Sequence, residues 1–280
     1  MCRLLGYASD HARTTESILG GTQSAVFQDM AALHRDGWGS AWLDESLADS
    51  EISAVRSAQT GVHDEVLTGV LTSTPARARI THLRMATDGM ACEPQNTHPF
   101  VADGMAFAHN GSLVPTALLE ELISPEIASA LRGDTDSERY FAVIRTALST
   151  GLDMIDAVHH AVTQIRMSFP NASMNALLLS HTHLIAIHAN VGARVPYEDF
   201  DASGLSDEDF PLDHRNAYYL MRQRRLDDGT IIFASSGLDI VGWDPLPSES
   251  IVSVDLRTLE LETRAIGEGA SVGTTAHRAT

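Results

Sequence analysis

Met1-Cys2-Arg3-Leu4-Leu5-Gly6-Tyr7 places a thiol one residue from the start of the chain, with an apolar run directly behind it. Removal of Met1, which a small second residue permits, would set the Cys2 sulfur beside a free α-amine. A thiol with a pKa of about 8.5 and an α-amine of about 7.7 to 8.0 then form a nucleophile and its own base within one residue. Position alone does not decide this, because a chain can begin Met-Cys by chance. The apolar run reads as a strand over residues 4–7, which would hold the sulfur at a strand end.

Three further short strands are read over residues 39–43, 79–83 and 105–109, each ending near a group with chemical capacity. Val26, Met30 and Leu33 recur at helical spacing over residues 24–34. Phe141, Ile144 and Leu148 do so over residues 137–149. Ile155, Val158, Val162 and Ile165 follow after Gly151, so two helices are expected to pair. Beyond Pro170 the pattern returns to strands over residues 176–179, 184–188, 217–223, 231–234, 251–254 and 259–262. Strands, then helices, then strands predict an α+β fold of two mainly antiparallel sheets flanked by helices, and exclude a parallel doubly wound sheet. No phosphate-cradling or dinucleotide loop is present. Residues 2–265 read as one domain, residues 266–280 as a disordered tail, and acidic residues 197–213 as a surface insertion near the pocket.

Asn110-Gly111, after an apolar strand, can supply a side-chain amide and a backbone N–H to a developing oxyanion, and it can equally form a hairpin turn. Arg84 offers a fork suited to a carboxylate, or an ordinary surface ion pair. Asp136 can hold an ammonium group or cap the helix that begins there.

Four segments following Cys2 resemble class II glutamine amidotransferases, the N-terminal-nucleophile type. They are Thr81-His82-Leu83-Arg84-Met85-Ala86-Thr87-Asp88-Gly89, Asn96-Thr97-His98-Pro99-Phe100, Ala108-His109-Asn110-Gly111-Ser112 and Asp134-Thr135-Asp136-Ser137-Glu138. The resemblance implies a four-layer αββα sandwich with Cys2, Asn110 and Gly111 catalytic and with Arg84, Thr87, His98 and Asp136 binding the glutamyl group. His98 reads equally well as a hydrogen-bonded structural histidine. Asp88 stands where aminosugar-forming members carry histidine. Arg35-Asp36-Gly37-Trp38-Gly39-Ser40-Ala41 and Phe233-Ala234-Ser235-Ser236-Gly237-Leu238 are similar to stand-alone bacterial members, including the γ-glutamyl amidohydrolase of ergothioneine synthesis.

With 280 residues the expectation is a glutaminase domain without a fused acceptor domain. The implied reaction is hydrolysis of the γ-amide of glutamine or of a γ-glutamyl compound through a Cys2 thioester, releasing ammonia or an amine. Two alternatives stand beside it. One is a subunit that delivers ammonia to a separate acceptor enzyme, and the other is a non-catalytic γ-glutamyl-binding relative that keeps Met1. With 37 Asp plus Glu against 19 Lys plus Arg, the charge of -18 disfavours nucleic acid and anionic membrane as partners. The absence of a signal-like or membrane-spanning run leads to the expectation of a cytoplasmic location with reduced thiols. No cofactor or metal is expected: Cys2 and Cys92 form no CxxC, and His181-Thr182-His183, which would put two imidazoles on one face of a strand, lacks a third ligand.

Overall fold

A computed structural model describes residues 2–44, 51–86, 92–206, 208–239 and 241–267. Met1, the expected Thr87 contact, Asp88 and the 268–280 part of the expected tail lie outside the described residues. The first stretch contains β1 (Arg3–Arg13), α1 (Thr15–Leu19), α2 (Gly21–Asp29), β2 (Trp38–Asp44), β3 (Glu51–Ser57), α3 (Glu65–Ser73) and β4 (Ala76–Leu83). The middle contains β5 (Phe100–Ala102), β6 (Met105–Gly111), α4 (Ala117–Glu120), α5 (Pro125–Ala128), α6 (Asp136–Ser149) and α7 (Met154–Ser168). The last contains β7 (Met174–Leu179), β8 (His183–His188), α8 (Tyr197–Ala202), α9 (His214–Ala217), β9 (Arg222–Arg225), β10 (Ile231–Ala234), β11 (Asp244–Pro245), β12 (Ser250–Asp255) and β13 (Leu261–Ala265).

These strands form two antiparallel sheets, ordered β11-β9-β10-β1-β4-β2-β3 and β13-β12-β8-β7-β6-β5. Strand alternation distributes the core. Leu4, Ala8, Ala78 and Ile80 of the first sheet face Ala106, Ala108, Leu177 and Ala186 of the second, and the alanines let the sheets approach. Leu5, Tyr7, Trp38 and Ile232 face the other way, onto Ile18, Phe27, Leu67 and Leu71 of α1 to α3. Phe107, Leu178, Ile185 and Ile187 face Phe141, Ile144, Val158, Val162 and Ile165 of α6 and α7. The result is the four-layer αββα order expected from the sequence. Each fully buried Leu, Ile or Phe contributes roughly 1.5 to 3 kcal/mol against leaving it in water.

Three expectations are corrected. Residues 217–223 do not make one strand: α9 ends at Ala217, and β9 begins only at Arg222. The β-favouring aromatics between them, Tyr218 and Tyr219, are buried in a separate cluster with Leu33, Met85 and Phe200. Their carbonyls serve side chains instead of a strand ladder. The insertion at 197–213 is not wholly surface, since α8 buries Phe200 to 1% exposure in that cluster. His181 sits in the turn before β8, so it does not share a strand face with His183. No helix among the described residues is long and apolar enough to cross a membrane.

Candidate active site

Three strand ends meet at one edge of the sandwich. β1 and β4 are antiparallel, with Arg3 opposite Leu83, which sets Cys2 beside the residues that leave β4. β6 of the facing sheet ends in Asn110 and Gly111, opposite Asn175 and Met174 of β7. The Cys2 backbone N–H donates to Asn110 Oδ1 at 2.9 Å, and the Cys2 sulfur lies 3.8 Å from the Met85 carbonyl oxygen. Cys2 is buried and Cys92 exposed, and both are free thiols.

With Oδ1 so engaged, Asn110 turns its Nδ2 to a place where it finds no partner among the described residues, although the atom is buried. A buried donor without an acceptor costs about 1 to 3 kcal/mol. Asn110 and Gly111 are strand residues, not the centre of a hairpin turn. The need for glycine is steric: a Cβ on Gly111 would lie 1.9 Å from the Ser173 carbonyl oxygen. Ser173 Oγ donates to the Asn110 carbonyl at 2.7 Å, so β6 has no room to move aside.

Arg84 follows β4 and is buried, with 3% exposure, so it does not lie at the surface. Two backbone bonds, Arg84 N–H to Gly37 O at 2.8 Å and Asp36 N–H to Arg84 O at 3.0 Å, lash it to the segment before β2. Its Nη1 donates to the Asp36 carbonyl at 3.2 Å, and the Asp36 carboxylate accepts Ala86 N–H at 2.7 Å. Gly37 enables this turn with φ +124, a conformation that side chains resist.

Asp136 is the first residue of α6, and the cap is Thr135, whose hydroxyl accepts Glu138 N–H at 3.1 Å. The Asp136 carboxylate accepts Leu113 N–H at 2.6 Å and Ser137 N–H at 2.9 Å, tying the helix start to the chain leaving β6. The His98 ring lies tilted at 4.2 Å from the His82 ring and edge-on at 4.8 Å from Phe100, and both its nitrogens are buried without partners among the described residues. His82 Nε2 lies 3.3 Å from the His109 carbonyl oxygen, and His109 bridges Ser137 Oγ at 2.9 Å and Ser173 O at 3.1 Å. Burial pushes the His82 imidazole down to about 3 and those of His98 and His109 below their usual value, disfavouring their charged forms.

The sequence reading missed the opposite wall. Fully buried Arg3 lies 4.0 Å over the Tyr218 ring and donates to the Tyr218 carbonyl at 3.3 Å and to Ser236 Oγ at 2.6 Å. Ser235 Oγ accepts Leu4 N–H at 3.0 Å, so the Ser235-Ser236 pair after β10 clamps the start of β1. Asn175 Nδ2 donates to the Tyr219 carbonyl, fixing the second aromatic beside β7. Asn175 sits opposite Asn110, and that pairing is the signal that strand alignment could have supplied. Among the described residues no group of three His, Cys, Asp or Glu side chains could hold a metal.

The pattern of the family described as glutamine amidotransferases class-II matches residues 1–242. The chain belongs to this family. It is 33% identical over 101 residues to a glutamine--fructose-6-phosphate aminotransferase (isomerizing) of Pseudomonas syringae pv. tomato, a match covering 36% of this chain and 16% of that relative. The chain thus matches about a sixth of that curated relative's length. The fold is shared with a glutamine aminotransferase class-II domain protein of Silicibacter pomeroyi at TM-score 0.62 and 15% identity, covering 95% of this chain and 100% of that one. It is shared equally with the glutamine phosphoribosylpyrophosphate amidotransferase of B. subtilis at TM-score 0.62 and 15% identity, covering 96% of this chain and 50% of the other.

Proposed function

We propose that this amidotransferase-family chain hydrolyses the γ-amide of glutamine or of a γ-glutamyl compound through a thioester on Cys2. The observation that carries the proposal is the single amide of Asn110, which accepts from the Cys2 nitrogen while leaving its own buried Nδ2–H free. Once Met1 is removed, that nitrogen is the α-amine. It takes the thiol proton as sulfur attacks the amide carbon. The tetrahedral oxyanion is met by Asn110 Nδ2–H and the Gly111 N–H. The amine returns the proton to the departing nitrogen, the C–N bond breaks, and the thioester remains. Water then adds under the same base, and collapse frees glutamate and the thiol.

Arg84 would clamp the glutamyl carboxylate, Asp136 would hold the ammonium, and Thr87 would line the same pocket. His98 would act from behind, shaping the pocket as a buried ring packed against His82. The Asp36-Gly37-Trp38-Gly39 segment and the Ser235-Ser236 clamp favour the stand-alone amidohydrolase type. A second reading, delivery of ammonia to a separate acceptor enzyme, draws on the relatives whose names state a transfer and whose chains are much longer than this one.

Intact-mass and N-terminal analysis, followed by incubation with glutamine and γ-glutamyl amides while glutamate is measured, tests the proposal. Loss of Met1 and glutamate release that vanishes in Cys2→Ala are expected. Retained Met1, or undiminished release in that variant, would sink the scheme.

A further inference from the structure

The Asn110 carbonyl and the Gly111 N–H belong to one peptide unit, so whatever grips the first acts on the second. Successive residues of an inner antiparallel strand turn their N–H and C=O groups to opposite neighbours, which sets where each end of that peptide points. Met174 N–H donates to Ala189 O at 2.7 Å, on the β8 side of the sheet. Gly111, the β6 partner of Met174, therefore exchanges no ladder bond with it, and its N–H points away from β7. On the other flank of β6, β5 pairs only with Met105 to Phe107. Neither neighbouring strand claims the Gly111 N–H.

The carbonyl end of the same peptide faces β7 and is taken. Ser173, buried directly before that strand, donates its Oγ–H to the Asn110 carbonyl at 2.7 Å. The same hydroxyl oxygen accepts Asn175 N–H at 3.4 Å, which leaves its own proton for Asn110. Ser173 is anchored in turn: its carbonyl lies 3.1 Å from His109 Nε2, and because a carbonyl only accepts, that ring nitrogen carries a proton. Ser137 Oγ holds the other ring nitrogen at 2.9 Å. A hydrogen bond accepted at a peptide carbonyl polarises the unit and strengthens its N–H as a donor. Held at one end and open at the other, this peptide is preorganised.

We propose that Ser173 is a positioning residue for the oxyanion site: its hydroxyl fixes and polarises the Asn110–Gly111 peptide so that the Gly111 N–H meets the developing charge. This rests on the thioester scheme, in which that N–H is one of the two oxyanion donors. Ser173 touches no substrate atom and transfers no proton. Its contribution is made in the tetrahedral state, where the charge on oxygen is largest, and so appears in kcat rather than in glutamine binding.

The test joins kinetics to a direct view of the peptide. Ser173→Ala should lower kcat for glutamine about three- to tenfold, the worth of one neutral hydrogen bond, while calorimetric binding of glutamine to Cys2→Ala is the same with and without Ser173→Ala. Asn110-Gly111 is the one Asn-Gly step in the sequence, so labelling with carbonyl-13C asparagine and 15N glycine gives this peptide a single NMR signal. Ser173→Ala should move that signal, and Ser173→Thr, which keeps the hydroxyl, should restore both the signal and most of kcat. A hydroxyl that only satisfies a buried carbonyl would lower Tm and leave kcat alone. Unchanged kcat in Ser173→Ala, a loss matched by weaker glutamine binding, or a peptide signal that stays in place overturns the inference while the thioester scheme stands. A chain freed of Met1 that releases no glutamate ends that scheme and the inference together.

Discussion

Asn110 divides one side chain between two tasks, and its substitution should expose both. Asn110→Asp keeps an acceptor for the Cys2 nitrogen and loses the Nδ2 donor, so binding should survive while kcat falls about 10²- to 10³-fold, the usual cost of one oxyanion donor. A fall confined to KM would show that Nδ2 does not meet the oxyanion. Arg84 acts earlier, in binding. Arg84→Lys replaces a fork with a point charge and loses the reach to the Asp36 carbonyl, so KM for glutamine should rise at least about tenfold with kcat much less affected. An unchanged KM in steady-state kinetics would place the glutamyl carboxylate elsewhere. These residues could be picked out in the sequence because their chemistry is carried within short segments. Arg3 and Tyr218 could not, and Ser236 stood out only as part of its segment, because Arg3 meets Ser236 across 233 positions of chain and nothing local marks the encounter.

At the scale of elements, α6 shows how a helix start delivers a carboxylate. Thr135 caps it, Glu138 turns back to the N–H groups of Arg132 at 2.9 Å and Gly133 at 2.7 Å, and Asp136 is left to bind the strand exit at Leu113. Thr135→Ala should cost about 1 kcal/mol of stability, a drop in Tm of about 2 °C in a chain of this length, and should raise KM for glutamine more than it lowers kcat. Calorimetry with an unshifted Tm would mean that Glu138 alone holds the cap. Strong periodicity made α6 and α7 readable, and β1, β4 and β6 followed from their apolar runs. β3 escaped because it is an edge strand with alternating exposure, and α3 because its start, Asp64 accepting Val66 N–H at 2.8 Å and Leu67 N–H at 3.0 Å, sits in a short polar stretch. The 217–223 misreading came from two aromatics whose burial is tertiary.

For the molecule as a whole, acid should be the weak direction. Five buried imidazoles are held below their ordinary value, in each case chiefly by burial: His82 to about 3, His214 to about 2 with Arg3 adding to the effect, and His98, His109 and His188 in the same direction. His214 lies 3.1 Å from His34, nitrogen to nitrogen, so a proton taken there would have to be accommodated beside the Arg3 charge. A histidine neutral in the fold but free to charge when unfolded contributes stability that is complete above about pH 6.5. That stability is lost as pH falls toward the folded pKa, at up to about 1.4 kcal/mol per pH unit for each group. An opposing effect exists, because acidification toward the isoelectric point of 4.9 relieves the repulsion within a chain of charge -18. That repulsion acts between surface charges and is screened beyond about 8 Å at 0.15 M ionic strength, while the buried imidazoles are shielded from salt. The histidines should therefore prevail in physiological salt: Tm should fall between pH 7.5 and pH 5.5 in 0.15 M sodium chloride. Lowering the salt should soften that fall by letting the relief of repulsion count for more. A Tm that holds steady or rises over this interval at 0.15 M salt would mean that the folded chain already accepts protons at these sites.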